Sequence, residues 1–270
     1  MRLQHKIAVI LIILFLMICL GLSLLSQSFR ETLFSSGLTA ETKGLNLAIA
    51  GGCFHCHGSY GAGGIPNPGG DSIPSWQGYS FMMSMENEEE LREWIMDGAP
   101  EKLRTQSSYA RRRQEMTVHM PAYRSRLTKG ELNKLVAFYH AVSGTIRPDD
   151  PLAKKGYGVA ETKGCFSCHG IGGRFDLVNP GSLTGFIPAW SGPNFKHLVH
   201  NEAELREWIL DGRSKRLWNN PFSRYFSKRQ MIKMPEYRDR LSQEELEALL
   251  AYFAWLRDRD APGHRPRFSY

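Results

Sequence analysis

Two short motifs hold the side chains best suited to chemistry, and both read Cys-x-x-Cys-His. They comprise Cys53, Cys56 and His57, and Cys165, Cys168 and His169. Cysteines three positions apart lie on the same side of a helical turn, and the following residue can place its ring over a bound group. This pattern is the attachment signature of c-type haem, in which the two thiols form thioethers and the imidazole binds the iron. The sequence therefore predicts two covalently attached haems c.

Two other kinds of site also use paired cysteines. A structural zinc site needs a second Cys or His pair in each copy. His197 and His200 form such a pair only in the second half, and the one remaining cysteine is Cys19. A thioredoxin-like dithiol needs no following histidine and belongs in a βαβ context, for which the sequence gives no sign. Haem attachment is therefore the favoured interpretation.

An internal repeat surrounds the two motifs. Residues 43–58 recur at 155–170 with an offset of 112, and after a two-residue insertion the offset becomes 114. The later offset matches 73–78, 90–98 and 120–127 with 187–192, 204–212 and 234–241. Matches in the same order indicate two copies of one fold, and turn-forming residues at 143–151 separate them.

The repeat predicts a domain order for the whole chain. We expect an N-terminal segment 1–30, a first domain over 31–146, a second domain over 147–262 and a C-terminal tail 263–270. Each copy is predicted to be helical, because residues that cap helix N-termini (Asn, Thr or Ser) are followed three positions later by an acidic residue. Asn87, Thr128, Asn201 and Ser242 are these caps, and Gly98 and Gly212 are predicted to end the middle helices.

An iron held by one histidine needs a sixth ligand or an open position. Met120 and Met234 are the candidates, since they occupy equivalent places in matching Met-Pro-x-Tyr-Arg motifs. Met116 and Met231 do not align with each other and are interpreted as packing residues. His119 could replace Met120, but Lys233 stands at the equivalent place in the second copy, so the repeat argues against it.

Each copy resembles a class I cytochrome c domain, over about 41–142 and 153–257. The shared parts are the haem motif, a Pro-x-Trp-x-Gly loop, a middle helix, the methionine loop and a last helix. The resemblance implies that Gly44 and Gly156 let the first helix cross closely over the last, against Tyr139 and Phe253. It also implies that Trp76 and Trp190 lie near the haem edge.

The N-terminal segment contains an apolar run over 7–25, preceded by Arg2 and Lys6. A run of this length is close to the thickness of a bilayer, whereas the apolar part of a cleaved signal is usually shorter. The sequence therefore predicts a single transmembrane helix followed by two all-α domains. The positive residues ahead of the run place those domains on the outer, periplasmic side of a bacterial cytoplasmic membrane.

The charge of the chain is unevenly distributed. Residues 147–270 hold 20 basic and 15 acidic side chains, whereas residues 36–146 hold 11 of each. A basic surface near a haem can attract an acidic redox protein, and a location outside the cytoplasm argues against nucleic acid as a partner. We expect an electron relay serving a membrane electron-transport complex or a soluble cytochrome. The rival expectation is a diheme enzyme, such as a peroxidase or a thiosulfate-oxidising cytochrome.

Overall fold

The computed structural model describes residues 2–25, 33–77, 85–144 and 146–259. This part of the chain is mainly helical and includes one two-stranded sheet. Gly78 of the predicted Trp loop and the predicted C-terminal tail 263–270 lie outside the described residues.

The N-terminal helix α1 covers Arg2–Leu25. Among the described residues, no helix is long and apolar enough to span a bilayer. The predicted transmembrane helix over 7–25 is therefore wrong, and with it the anchored form of the fold class.

The first repeat is built from helices whose ends follow the sequence signals. Asn87 accepts a hydrogen bond from Glu90 N, and Thr128 and Glu131 form a reciprocal capping box, as predicted. Gly98, at φ +77°, ends the middle helix in the left-handed conformation that favours glycine. The helices are α2 Ala40–Ala50, α3 Cys53–His57, α4 Glu88–Asp97, α5 Glu101–Arg104, α6 Ser107–Glu115 and α7 Lys129–Ser143.

The second repeat has the same order of elements, with additions. Asn201 caps its middle helix through Glu204 N, and Ser242 and Glu245 bond each other's backbone N–H groups. The helices are α8 Pro151–Thr162, α9 Phe166–His169, α10 Pro193–Leu198, α11 Glu202–Asp211, α12 Lys215–Asn219, α13 Pro221–Arg229 and α14 Gln243–Arg259.

A small sheet in the second repeat departs from the all-α expectation. Strands β1 Leu177–Val178 and β2 Phe186–Ile187 pair antiparallel, with Leu177 opposite Ile187. In the first repeat only a single bridge joins Ile65 and Ile73 at the equivalent place. The two extra residues of the second copy lie between these strands, where they lengthen the turn.

In both repeats the first helix crosses the last one closely, α2 over α7 and α8 over α14. A Cβ built on Gly44 would lie 2.0 Å from Lys134 O, and one on Gly156 would lie 1.9 Å from Ala248 O. Only glycine fits at such an approach, as the resemblance implied. The aromatic partners differ from those expected: Phe138 and Tyr252, rather than Tyr139 and Phe253, lie against the two glycines.

The two repeats are in direct contact. Phe175 belongs to the second repeat by sequence, yet it is 1% exposed and packs in the core of the first repeat with Leu45 and Phe138. Helix α7 ends at Ser143 and α8 begins at Pro151, so the connection between the repeats is short. The packing of Phe175 shows how closely the two halves are joined.

Candidate functional site

Each Cys-x-x-Cys-His motif forms a short helix with glycines at both ends. Helix α3 is five residues long and carries Cys53, Cys56 and His57, and no disulfide joins the described cysteines. Gly52 and Gly58 flank it with φ of +72° and +69°. Positive φ at both ends lets the chain turn sharply into and out of the motif. The second motif repeats this arrangement with Gly164 and Gly170.

The two motif histidines are neutral at physiological pH. Burial lowers the pKa of His57 to about 4 and that of His169 to about 4. Trp76 packs on His57 with 4.8 Å between ring centroids, and Trp190 packs on His169 at 5.1 Å. A neutral imidazole in an aromatic setting is the form that binds a metal ion.

The two histidines differ in the partner of their second nitrogen. His169 Nδ1 lies 3.2 Å from Pro188 O, to which it can donate. His57 Nδ1 is buried without a hydrogen-bond partner among the described residues. A proton held at Nδ1 leaves Nε2 free to bind iron, and such a donor bond fixes the ring's orientation. The second repeat therefore holds its histidine more firmly.

The predicted methionine ligands lie on loops that pass over the end of the middle helix. A Cβ built on Gly98 would lie 2.5 Å from Met120 O, and one built on Gly212 would lie 2.5 Å from Met234 O. Any other residue at these helix ends would displace the methionine backbone. The glycines predicted as helix stops therefore also position the ligand loops.

The residues after each methionine fasten these loops, a role that sequence reasoning missed. Arg124 binds Asp97 through two hydrogen bonds of 2.6 Å, and Arg238 pairs with Asp211 in the second repeat. The repetition of Met-Pro-x-Tyr-Arg was the signal that could have shown this role.

A tyrosine connects each methionine loop with the adjacent cysteine motif. Tyr123 donates to Gly51 O at 2.9 Å, and Tyr237 donates to Lys163 O at 3.0 Å. Gly51 and Lys163 each precede the first cysteine of a motif by two residues. Each tyrosine therefore fixes the loop that carries one predicted ligand against the motif that carries the other.

A cavity of about 780 Å³ opens in the first repeat. Its lining brings together all four predicted site residues of this copy: Cys53, Cys56, His57 and Met120. In the second repeat, Cys165 and Met234 pack at the edge of one apolar cluster that includes Trp190. Paired thiols, a neutral imidazole and a thioether around an apolar space are the groups that haem c requires. The residues present fit that cofactor.

The remaining sulfur and imidazole candidates differ in where they lie. His119 lines the first cavity, and its Nε2 lies 2.6 Å from Arg113 O, so this contact engages one of its two ring nitrogens. Met116 lines the first cavity. Met231 is 73% exposed, so its interpretation as a packing residue is wrong. Within the described ranges, no group of three or more His, Cys, Asp or Glu side chains could hold a metal ion.

Comparison with known proteins gives one family match. The cytochrome c family model matches residues 153–257, a range that begins in α8 and ends in α14. Neither the curated proteins nor the solved structures contain a match to the chain. The matched range includes Cys165, Cys168, His169 and Met234. Residues 153–257 are therefore similar to cytochrome c domains, a family whose members hold a covalent haem and transfer electrons.

Proposed function

We propose that the chain is a diheme cytochrome c that relays electrons between redox proteins. The first repeat supports a second haem because it carries the same motif, the same methionine loop and the same glycine contacts as the matched domain. Bound haem c supplies reversible one-electron exchange at its iron. The first domain would then extend over 31–146 and the second over 147–262.

The chain's own residues divide the work of binding between them. The four motif cysteines would hold the cofactors covalently, and His57 and His169 would each bind an iron through an imidazole. Met120 and Met234 would each supply a thioether sulfur. Ligation by Met and His raises the reduction potential and closes the iron to substrates, which favours electron transfer over catalysis.

A continuous row of packed side chains carries the relay proposal. His57 contacts Trp76 at 4.8 Å, Trp76 contacts Phe138 at 6.0 Å, and Phe138 contacts Phe175 at 6.0 Å between ring centroids. Phe175 N then donates to His169 O at 3.3 Å. The two predicted haem sites are therefore connected through the protein interior, without an intervening gap.

The charge distribution supports an acidic partner. The second repeat and its tail hold most of the basic surplus of the chain, with 20 basic against 15 acidic side chains over 147–270. Such a surface accelerates association with an acidic redox protein, with a rate that falls as salt is added. A membrane electron-transport complex or a soluble cytochrome on the outer side of the bacterial cytoplasmic membrane is the proposed partner.

Replacement of the methionines tests this function. Met120→Ala and Met234→Ala should each remove about half of the weak red absorption band of iron–thioether bonding. Met231→Ala is the matched control, because Met231 is 73% exposed, and it should leave the band intact. Persistence of the full band in both site variants would contradict the proposal. So would rapid carbon monoxide binding with peroxide turnover by the unaltered protein, which would indicate the enzyme instead.

A further inference from the structure

One peptide unit of the second repeat lies between its axial histidine and the contact with the first repeat. His169 Nδ1 is 3.2 Å from Pro188 O, and Ala189 N donates to Asp176 Oδ1 at 3.1 Å. The carbonyl of Pro188 and the N–H of Ala189 belong to the same amide. The ligand's hydrogen bond and the carboxylate's hydrogen bond therefore share one polarisable group.

The same carboxylate holds the first repeat. Asp176 is 4% exposed, and its Oδ2 accepts from Thr39 N at 2.9 Å and from Thr42 Oγ1 at 3.1 Å. Asp176 N in turn donates to Thr42 Oγ1 at 2.8 Å. Thr39 caps the N-terminus of α2, so the carboxylate also lies at the positive end of that helix. Asp176 therefore binds the first repeat with one oxygen and the Pro188–Ala189 amide with the other.

We propose that Asp176 is a positioning residue. When the first repeat is docked, Asp176 acts through the Pro188–Ala189 amide to make His169 a more strongly donating ligand of the iron. This lowers the reduction potential of the second haem. This inference rests on the proposed function. A carboxylate that accepts from an amide N–H polarises that amide, and its carbonyl becomes a stronger acceptor. A stronger acceptor at Nδ1–H makes the imidazole a more basic ligand, which favours the oxidised iron.

The first repeat has the equivalent Pro74–Ser75 amide but lacks the carboxylate. Gly64 stands where the second copy has Asp176. His57 Nδ1 has no hydrogen-bond partner among the described residues. The coupling is therefore confined to one of the two haems, and it gives two otherwise similar sites different potentials. The second haem is the one with the lower potential.

The test is a redox titration of the full-length protein with both haems attached. Asp176→Asn should raise one of the two midpoint potentials and leave the other in place. Thr42→Val removes the hydroxyl of the first repeat that holds Asp176 in place, and should move the same midpoint upward by a smaller amount. Glu41→Gln is the matched control. It removes a carboxylate from the same interface, where Glu41 binds Arg174 and not the amide, and should shift that midpoint less than Asp176→Asn does.

A spectroscopic measurement separates coupling from a general loss of structure. In ¹⁵N-histidine NMR spectra, Asp176→Asn should shift the Nδ1–H signal of one axial histidine while the red iron–thioether band stays at full strength. Unchanged midpoints, or equal shifts of both, in a protein that retains two haems would overturn the inference. A chain that fails to attach two haems would instead contradict the proposed function, so the two failures are distinguishable.

Discussion

The two repeats share one scaffold but differ at the segment that joins them. In both copies a glycine lets the first helix cross the last, and a second glycine places the methionine loop. After the haem motif, however, the first copy reads Ala62-Gly63-Gly64, whereas the second reads Arg174-Phe175-Asp176. Both copies therefore share the glycine contacts, whereas a three-residue stretch in one copy makes the contact with the other.

The receiving surface is also found in one copy only. Thr39, Glu41 and Thr42 of the first repeat bind this segment. Pro151, Ala153 and Lys154 stand at the equivalent positions of the second repeat. A head-to-tail contact between identical units can continue indefinitely into a filament. Because each copy carries only one of the two complementary surfaces, this contact joins the two repeats and does not extend to a third unit.

Removal of the motif cysteines should have the largest effect, because it should change the number of covalently attached haems. A Cys53→Ala/Cys56→Ala chain should lose one covalent haem, and a Cys165→Ala/Cys168→Ala chain should lose the other. Intact mass under denaturing conditions should show two haems in the parent and one in each variant. Two haems in either variant, or only one in the parent, would contradict the claim that each motif attaches one haem.

The contact between repeats should depend strongly on its buried ion pair. Arg174 Nη1 lies 2.6 Å from Glu41 Oε1, with only 5% and 11% of the two side chains exposed. Breaking a buried pair costs about 3–5 kcal/mol, so Arg174→Ala should lower the free energy of unfolding by that order. Denaturant titration measures it. Arg238→Ala is the comparison variant: its partner, Asp211, lies at the surface, where a pair contributes about 0–1 kcal/mol.

The helix crossings should tolerate no side chain in either copy. Gly44→Ala and Gly156→Ala should each destabilise the protein by about 1–3 kcal/mol or more, because the added methyl group meets a backbone carbonyl. Gly158→Ala lies in the same helix as Gly156, with nothing within 4 Å of the added carbon. That control should be neutral or stabilising by up to about 1 kcal/mol. Equal melting temperatures for Gly156→Ala and Gly158→Ala would contradict the close crossing.

Loss of a capping hydroxyl should have the smallest effect on stability, and the loss should be most nearly equal in the two copies. Thr128→Ala and Ser242→Ala each remove a hydroxyl that accepts from the third backbone N–H of a helix. Each should cost about 1 kcal/mol of stability, read from thermal unfolding. A much larger cost in one copy would indicate that its last helix has a role beyond the shared scaffold.

Local signals in the sequence were sufficient for the scaffold within each repeat. The caps at Asn87 and Asn201 and the helix stops at Gly98 and Gly212 depend on residues that are close in the chain. The close approach at Gly44 and Gly156 followed from family resemblance, but the aromatic residues against them were displaced by one position. A helical pattern shows which face is buried, and it does not show which neighbour on that face meets a given glycine.

The contact between repeats was not predictable in the same way. Arg174, Phe175 and Asp176 interrupt the repeat with two charges and an aromatic ring, which was the available signal. Arg174 binds Glu41, and Asp176 binds Thr39 and Thr42. These partners lie more than 130 residues earlier in the chain. The N-terminal helix shows a different error. Hydropathy alone led to a predicted membrane span, whereas no helix among the described residues is long and apolar enough to cross a bilayer.

One kinetic measurement tests the relay most directly. The fully oxidised two-haem protein is given less than one electron per molecule by a fast reductant, and rapid-freeze electron paramagnetic resonance follows the two low-spin iron signals. We predict that the electron redistributes between the haems at a rate independent of protein concentration, because Trp76, Phe138 and Phe175 join the sites within one chain. A redistribution rate proportional to protein concentration, or no redistribution, would contradict the account.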